Sequence, residues 1–176
     1  DDMSRELESE FQGVTPSIKT QKTYNGLGLL ATERDPKGTV SQFSYDAGKR
    51  LVKKEILSTT GILATDYTLD VMGNILTEKN PLNAVKRFEY DGLNRQIKSI
   101  DALSHATEIR YDNNDNVVEV KTPNTATTIT TYDGLNRPIK VEEAGLKVTQ
   151  SAYNKNSQPI SITQPNGSTT QFEYDA

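Results

Sequence analysis

Residues 90–101 read YDGLNRQIKSID, and residues 132–143 repeat the phrase as YDGLNRPIKVEE. A Tyr followed by Asp or Asn opens seven stretches of the chain, at Tyr24, Tyr45, Tyr90, Tyr111, Tyr132, Tyr153 and Tyr174. Successive openings are 21 residues apart except for one interval of 45, which divides into 24 and 21 when Leu69-Asp70 counts as a degenerate copy. A period sustained over most of a chain indicates an array of small structural units.

The repeats divide the chain into two parts. Residues 24–176 hold seven units of about 21 residues and the opening phrase of an eighth, so we interpret the chain as a piece of a longer array. Residues 1–23 are acidic and lie outside the period. Met3, Leu7 and Phe11 recur there at steps of four, which predicts an irregular segment or a short helix.

Each unit contains two turn signals and two short extended runs, the pattern of a β-meander. With the Tyr as position one, the first turn covers positions two to five and starts with Asp or Asn, whose side chain can accept backbone N–H bonds. The expected first turns include 46–49, 91–94 and 133–136. Five copies carry at position five a residue type that tolerates a left-handed backbone: Gly28, Gly73, Asn94, Asp115 and Asn136.

The predicted fold is all-β: about fourteen antiparallel strands in hairpins that form one curved, single-layer sheet. If a four-residue turn joins the strands, position one is directly opposite position six. The resulting pairs are Tyr45 with Arg50, Tyr90 with Arg95, and Tyr132 with Arg137. A guanidinium in this position can cover the aromatic ring, and we expect that contact to be structural.

The unit that begins at Tyr45 is 24 residues long, three more than the period. Its run STTG at 58–61 is polar and ends in Gly. The extra residues are therefore predicted to lengthen the second turn and to leave the strand register intact.

Composition excludes several classes of function. The net charge of −4 and the pI near 5.1 argue against nucleic-acid and membrane-surface partners. Cysteine is absent and His105 is the single histidine, so thiolate chemistry and multi-histidine metal sites are excluded. The sequence contains neither a run of 18 apolar residues nor a secretory signal.

Candidate chemical sites are weak. Residues 112–116, DNNDN, match the first ligands of an EF-hand loop, but Val117 stands where Gly is needed and Pro123 where the bidentate Glu should be. His105 lies in a second turn and is expected to be a solvated turn residue. The repeat distributes the acidic residues along the chain, so no pair of carboxylates stands out as a catalytic site. The chain is therefore predicted not to be an enzyme and to have no cofactor, metal or catalytic residues. The structural motif comprises the seven tyrosines, Asp46, Asp70, Asp91, Asp112, Asp133, Arg50, Arg95 and Arg137.

The repeats resemble the RHS/YD-repeat family, whose pattern is Tyr-Asp, two variable residues, Gly or Asn, then Arg and an apolar residue. The resemblance covers about 150 of the 176 residues, although Leu69 replaces a Tyr and YDNNDN at 111–116 lacks the Arg. It implies a segment of a β-spiral shell that, in bacterial toxins, encloses a toxic C-terminal polypeptide. The family's self-cleavage region uses paired DPxG motifs; the single copy here, 35–38, lies in an ordinary turn, so neither protease nor toxin cargo is expected.

Two functional hypotheses remain open from the sequence. The first is a structural wall segment whose partners are further repeats of its parent chain and an enclosed polypeptide, exported, secreted or at the cell surface as part of a larger bacterial protein. The second is a surface adhesion or carbohydrate-binding module that uses the tyrosine-lined face to bind glycans. An uncovered apolar face and unpaired edge strands also predict self-association.

Overall fold

The computed structural model describes residues 6–10 and 19–175, with side chains described for residues 20–175. In these residues there are sixteen strands and no helix. The strands are β1 (Glu6–Glu10), β2 (Lys19–Tyr24), β3 (Leu30–Arg34), β4 (Val40–Tyr45), β5 (Leu51–Ser58), β6 (Gly61–Leu69), β7 (Ile75–Lys79), β8 (Val85–Tyr90), β9 (Gln96–Ile100), β10 (Ala106–Tyr111), β11 (Val117–Lys121), β12 (Thr127–Tyr132), β13 (Pro138–Glu143), β14 (Lys147–Tyr153), β15 (Pro159–Thr163) and β16 (Thr169–Gln171).

Strand order in the sheet is the order in the chain, from β1 to β16. The chain divides into two compact units, Asp1–Arg87 and Phe88–Ala176. In the first unit each strand pairs antiparallel with the next, and the same holds from β9 to β16 in the second. The predicted all-β hairpin meander in one open sheet is confirmed, with two strands more than the fourteen or so expected.

The first turns form at the predicted places. In one of them the Asp91 N–H donates to the Arg95 carbonyl at 3.0 Å, and the Asn94 N–H donates to the Asp91 carbonyl at 3.0 Å. The equivalent bonds close the turns that begin at Asp46 and Asp133. Position five has a positive φ of 60–95° in all seven copies: Gly28, Lys49, Gly73, Asn94, Asp115, Asn136 and Ser157. The backbone requirement that selects Gly and Asn there is therefore met even by a Lys and a Ser.

The predicted register is wrong by two residues along most of each hairpin. Tyr45 is opposite Leu51, not Arg50, and Ile109 is opposite Val120 instead of Val118. The register shifts just before position one, between Thr23/Tyr24, Ser44/Tyr45, Thr68/Leu69, Arg110/Tyr111, Thr131/Tyr132 and Ala152/Tyr153. Position six belongs to the loop, so the strand pair starts at position seven and a bulge follows. A shift of two residues preserves the alternation of faces.

The prediction for the long unit is also wrong. Ser58 pairs with Gly61, so Thr59 and Thr60 alone form the turn, and β5 and β6 are longer than the other strands of their kind. The extra residues extend the paired strands while the turn becomes shorter. Each added pair contributes ladder hydrogen bonds and side-chain contacts, which an extended polar loop would not supply.

The N-terminal segment contains a strand where an irregular segment or a short helix was expected. Glu6 pairs with Thr23 and Glu10 with Lys19, so β1 extends the ladder beyond the repeats. Leu7 lies in β1, whereas Met3 and Phe11 lie outside the described residues. A spacing of four is an even number, so it places residues on one face of a strand as well as on one face of a helix. The pattern could not distinguish the two.

The sheet is a single layer. Among residues 20–175 no apolar or polar side chain is fully buried, and the strand residues are mostly half-buried. Eight large apolar side chains in turns are 64–94% exposed: Leu27, Val71, Met72, Leu82, Leu93, Leu103, Leu135 and Leu146. Stability therefore depends on contacts between neighbouring hairpins rather than on a central core.

Thr125 is a strained turn residue, and its replacement by Gly should stabilise the chain. It has φ of 65° at position fifteen, where Gly38 has φ of 88°. A β-branched residue costs about 1–2 kcal/mol in this conformation, offset in part by the greater freedom of Gly when unfolded. We expect Thr125→Gly to raise the free energy of unfolding in urea by about 0.5–1 kcal/mol.

Gly38→Thr is the matched control for that prediction. A Cβ at Gly38 meets no heavy atom within 4 Å, so the only cost is the backbone conformation. The variant should lose about 1 kcal/mol. Equal urea midpoints for Thr125→Gly and the wild-type chain would show that Thr125 is not strained.

Candidate functional site

The aspartates at position two hold the first turns together. Asp91 Oδ1 accepts the N–H of Leu93 at 2.9 Å and that of Arg95 at 3.0 Å. Asp70, Asp112 and Asp133 accept the equivalent pairs of N–H groups, and Asp46 Oδ1 accepts the Arg50 N–H at 2.9 Å. The second carboxylate oxygen is left for the side chain at position six.

The arginines at position six join each turn to the next. Arg95 donates from Nε to Asp91 Oδ2 at 2.8 Å, and its Nη2 lies 2.7 Å from the same oxygen. Its Nη1 donates to the Asp112 carbonyl at 3.0 Å and to Asp115 Oδ1 at 2.7 Å, both in the following repeat. We call this arrangement the turn clamp: the Asp at position two, the Arg at position six and the position-two carbonyl of the next repeat.

Two more turn clamps have the same geometry. Arg137 binds Asp133 through Nε at 2.7 Å and donates to the Asn154 carbonyl at 2.9 Å. Arg50 binds Asp46 through Nε at 2.8 Å and donates to the Asp70 carbonyl at 2.7 Å. All three predicted arginines therefore act between repeats.

The tyrosines at position one reach back to the preceding hairpin. The Tyr132 hydroxyl donates to the Val117 carbonyl at 3.1 Å, fifteen residues earlier. Four others do the same at 2.8–3.0 Å: Tyr45 to Leu30, Tyr111 to Gln96, Tyr153 to Pro138 and Tyr174 to Pro159. Tyr24 and Tyr90 end β2 and β8 at the equivalent position. Tyrosine and arginine therefore link adjacent repeats from opposite directions.

The expected arginine–tyrosine pairs are shifted by one repeat. The Arg95 guanidinium lies 4.6 Å from the ring centre of Tyr111, not over Tyr90, and that of Arg137 lies 4.8 Å from Tyr153. Because position six is part of the loop and binds its own Asp, the guanidinium extends toward the next turn. For Arg50 the next position one is Leu69, which has no aromatic ring.

Amide side chains replace the arginine in other repeats, and the sequence interpretation missed them. Asn116 Nδ2 donates to Asp112 Oδ2 at 2.9 Å and to Asn136 Oδ1 of the next repeat at 2.8 Å. Asn74 Nδ2 donates to Asp70 Oδ2 at 2.8 Å. The sequence signal for them is a polar side chain at position six, and Asn116 also closes the DNNDN run.

The side chains at position six lower the pKa of the carboxyl groups at position two. The hydrogen bond from the arginine side chain is the main cause for Asp46, Asp91 and Asp133. For Asp70 and Asp112 the main cause is the hydrogen bond from Asn74 or Asn116. The ionised form is therefore favoured in the folded chain.

We expect the chain to lose stability in acid. A carboxyl whose folded pKa lies below its ordinary value of 3.8 stabilises the folded state above that value, and the contribution disappears as pH falls through the folded pKa. The urea midpoint should be nearly constant from about pH 7 to 5 and fall between about pH 4 and 2. In Asp91→Asn the loss should be smaller. An acid loss of the same size in that variant would contradict the assignment.

The weaker candidates make contacts within their own turn or with the preceding repeat. Asp112 and Asp115 of the DNNDN run bind Asn116 and Arg95, and His105 Nδ1 lies 3.0 Å from Asp101 Oδ2 in its own turn. Within residues 6–10 and 19–175 no three histidine, aspartate or glutamate side chains are placed to hold a metal ion. In the same residues no helix has the length and apolarity needed to cross a membrane.

Residues 21–176 match the teneurin YD-shell family. The chain belongs to this YD-shell family. The resemblance to RHS/YD repeats, first indicated by YDGLNR, is thereby confirmed. No curated protein sequence matches the chain.

Solved structures share the YD-shell fold. A chain of the TcdB2-TccC3-Cdc42 crystal structure has a TM-score of 0.77 and 15% identity, over 90% of this chain and 10% of that chain. A chain of the Photorhabdus luminescens Tc holotoxin pore has a TM-score of 0.75 and 17% identity over the same shares. The YD-shell segment described here thus spans about a tenth of the chains whose fold it matches.

Proposed function

We propose that this chain is a wall segment of an RHS/YD-repeat shell that encloses or displays another polypeptide, without catalysis of its own. The proposal rests on what the polar side chains of the repeat motif bind. In the turn clamps and in the five tyrosine bonds, the polar groups of the motif join one hairpin to the next. Such side chains build a continuous sheet, which is what a wall requires.

The geometry also bears on the carbohydrate-binding alternative. A stacking platform for sugars needs open aromatic faces and hydroxyls that can bind a ligand. Here five tyrosine hydroxyls donate to backbone carbonyls, and arginines lie over the rings of Tyr111 and Tyr153. These contacts favour the structural role.

The partners we propose are further repeats of a longer parent chain and an enclosed polypeptide. The small share of the matched chains that this segment spans supports a larger assembly. We place the parent outside the cytoplasm, exported, secreted or at the cell surface of a bacterium.

Limited proteolysis of the parent protein tests this function. We expect the enclosed polypeptide to resist protease in the wild-type protein and to be cleaved in the double variant Arg95→Ala, Arg137→Ala, since both turn clamps are lost. Arg110→Ala is the matched control because Arg110 is 76% exposed and, among the described residues, binds Glu119 across the strand pair instead of joining two turns. An enclosed polypeptide cleaved equally in all three proteins would refute enclosure.

A glycan array tests the alternative function, an adhesion or carbohydrate-binding module. The wall proposal predicts no specific glycan signal. Binding that disappears in Tyr132→Ala while circular dichroism remains that of a folded sheet would favour the adhesion module instead.

A further inference from the structure

The first repeat lacks the polar side chain that stands at position six in the other six repeats. Those repeats have arginine, asparagine or glutamine there: Arg50, Asn74, Arg95, Asn116, Arg137 and Gln158. In the repeat that begins at Tyr24 the position holds Leu29, whose side chain has no hydrogen-bond donor. Asn25 at position two still closes the turn, because its Oδ1 accepts the N–H groups of Leu27 and Leu29 at 3.0 Å each. The first repeat therefore has a closed turn but no turn clamp to the second.

The acceptor for such a clamp is present in the second repeat. A backbone carbonyl oxygen has two lone pairs and can accept two hydrogen bonds. The Asp112 carbonyl uses both, since it accepts the Asp115 N–H at 3.4 Å and the Arg95 guanidinium at 3.0 Å. The equivalent Asp46 carbonyl accepts the Lys49 N–H at 3.0 Å, but among the described residues no side chain donates to it. What is missing at this joint is therefore the donor on the first repeat.

Strand pairing does not compensate for the missing clamp. Strands β3 and β4 pair only between residues 32–34 and 40–42, next to the turn that connects them. Toward the other end of the two strands, the contact within the described residues is the bond from the Tyr45 hydroxyl to the Leu30 carbonyl at 3.0 Å. The joint between β9 and β10 also has three ladder pairs and a tyrosine bond, and it has a turn clamp in addition. The joint between β3 and β4 is consequently the weaker of the two.

We propose that β1 to β3 form a flap that opens away from β4 about the connecting turn, residues 35–39. Opening breaks three ladder pairs and the Tyr45 bond, and it leaves the clamped joints between later repeats intact. Gly38 lies in the hinge turn with φ of 88°, and a Cβ placed there would meet no heavy atom within 4 Å. The backbone of this turn can therefore change conformation without a steric clash. The flap is a property of the sheet and does not depend on the proposed wall function.

Hydrogen exchange of the native chain measures how often the flap opens. After correction for intrinsic rates, the amides that bond across the joint of β3 and β4 should exchange about tenfold faster than those that bond across β9 and β10. The two joints are matched, because each has three ladder pairs and one tyrosine bond. Equal protection of the two joints in the wild-type chain would overturn the proposal.

Building the missing clamp should close the flap. The double variant Asn25→Asp, Leu29→Arg has at positions two and six the residue types that form the clamp of Asp91 and Arg95. Its guanidinium can reach the Asp46 carbonyl, as those of the other clamps reach the equivalent carbonyl. We expect exchange across the joint of β3 and β4 to slow about tenfold, to the rate of the joint between β9 and β10.

The matched control is the double variant Asn25→Asp, Leu27→Arg. It makes the same change in charge, but Leu27 is at the tip of the turn and 64% exposed, so exchange across the joint should stay at the wild-type rate. Circular dichroism should show both double variants folded, and the wild-type comparison of the two joints needs neither of them. Exchange that slows equally in the two double variants, or in neither, would show that the clamp does not control the opening and would overturn the proposal.

Discussion

The Arg95→Met variant is expected to melt several degrees below the wild-type chain. Methionine keeps the length of the stem but removes every bond that the guanidinium makes. Those bonds reach Asp91 in its own turn and Asp112 and Asp115 in the next. In a repeat array each interface is a separate contribution to stability, so the loss should be concentrated at one junction.

Hydrogen exchange should show where the Arg95→Met variant is weakened. We expect faster exchange in β9 to β11, on either side of the broken clamp, and unchanged exchange in β14 and β15. Arg110→Met is the matched control, since that arginine makes one exposed ion pair with Glu119, and such pairs contribute little. Equal melting temperatures for the two variants would contradict a special role for the turn clamp.

The tyrosine at position one should show the second large effect. Tyr132→Phe removes the hydroxyl that donates to the Val117 carbonyl, and we expect a loss of about 1 kcal/mol in the free energy of unfolding. Tyr132→Ala also removes the half-buried ring, for a total loss of about 2–3 kcal/mol. Urea titration followed by circular dichroism measures both.

Tyr67 provides the control for the hydroxyl. It is half-buried in β6, and within the described residues its hydroxyl has no hydrogen-bond partner in the protein. Tyr67→Phe should therefore change stability by less than about 0.5 kcal/mol. A loss as large as that of Tyr132→Phe would show that the effect comes from ring chemistry and not from the bond to Val117.

Much of the architecture follows from local sequence. Asp91 and Asn94 select a turn because one accepts backbone N–H groups and the other tolerates a positive φ. Such requirements concern only a few successive residues, so they are visible in a single repeat. Because the sequence is periodic, a conclusion drawn for one repeat applies to the other repeats as well.

The partner of each motif side chain was harder to predict. Arg95 was expected over Tyr90, which is five residues away in sequence, but lies over Tyr111 in the next repeat. The difference arises from one bulge and from the inclusion of position six in the loop, which together change the register by two residues. A shift of two residues leaves every side chain on the same face of the sheet, so the alternating sequence pattern is the same for both registers and cannot distinguish them.

The repeat sequence alone determined that this chain is an all-β array of hairpins. The turn residues and the alternation of polar and apolar side chains are local properties, and they recur with the same period in each repeat. The three-dimensional arrangement decided the rest. It made β1 a strand, since an even spacing suits helix and strand alike and the edge of β2 supplied backbone partners. It extended β5 and β6 around Thr59 and Thr60, because paired residues gain ladder bonds that a loop lacks. It directed arginines and tyrosines to neighbouring repeats, since those contacts depend on the register between strands.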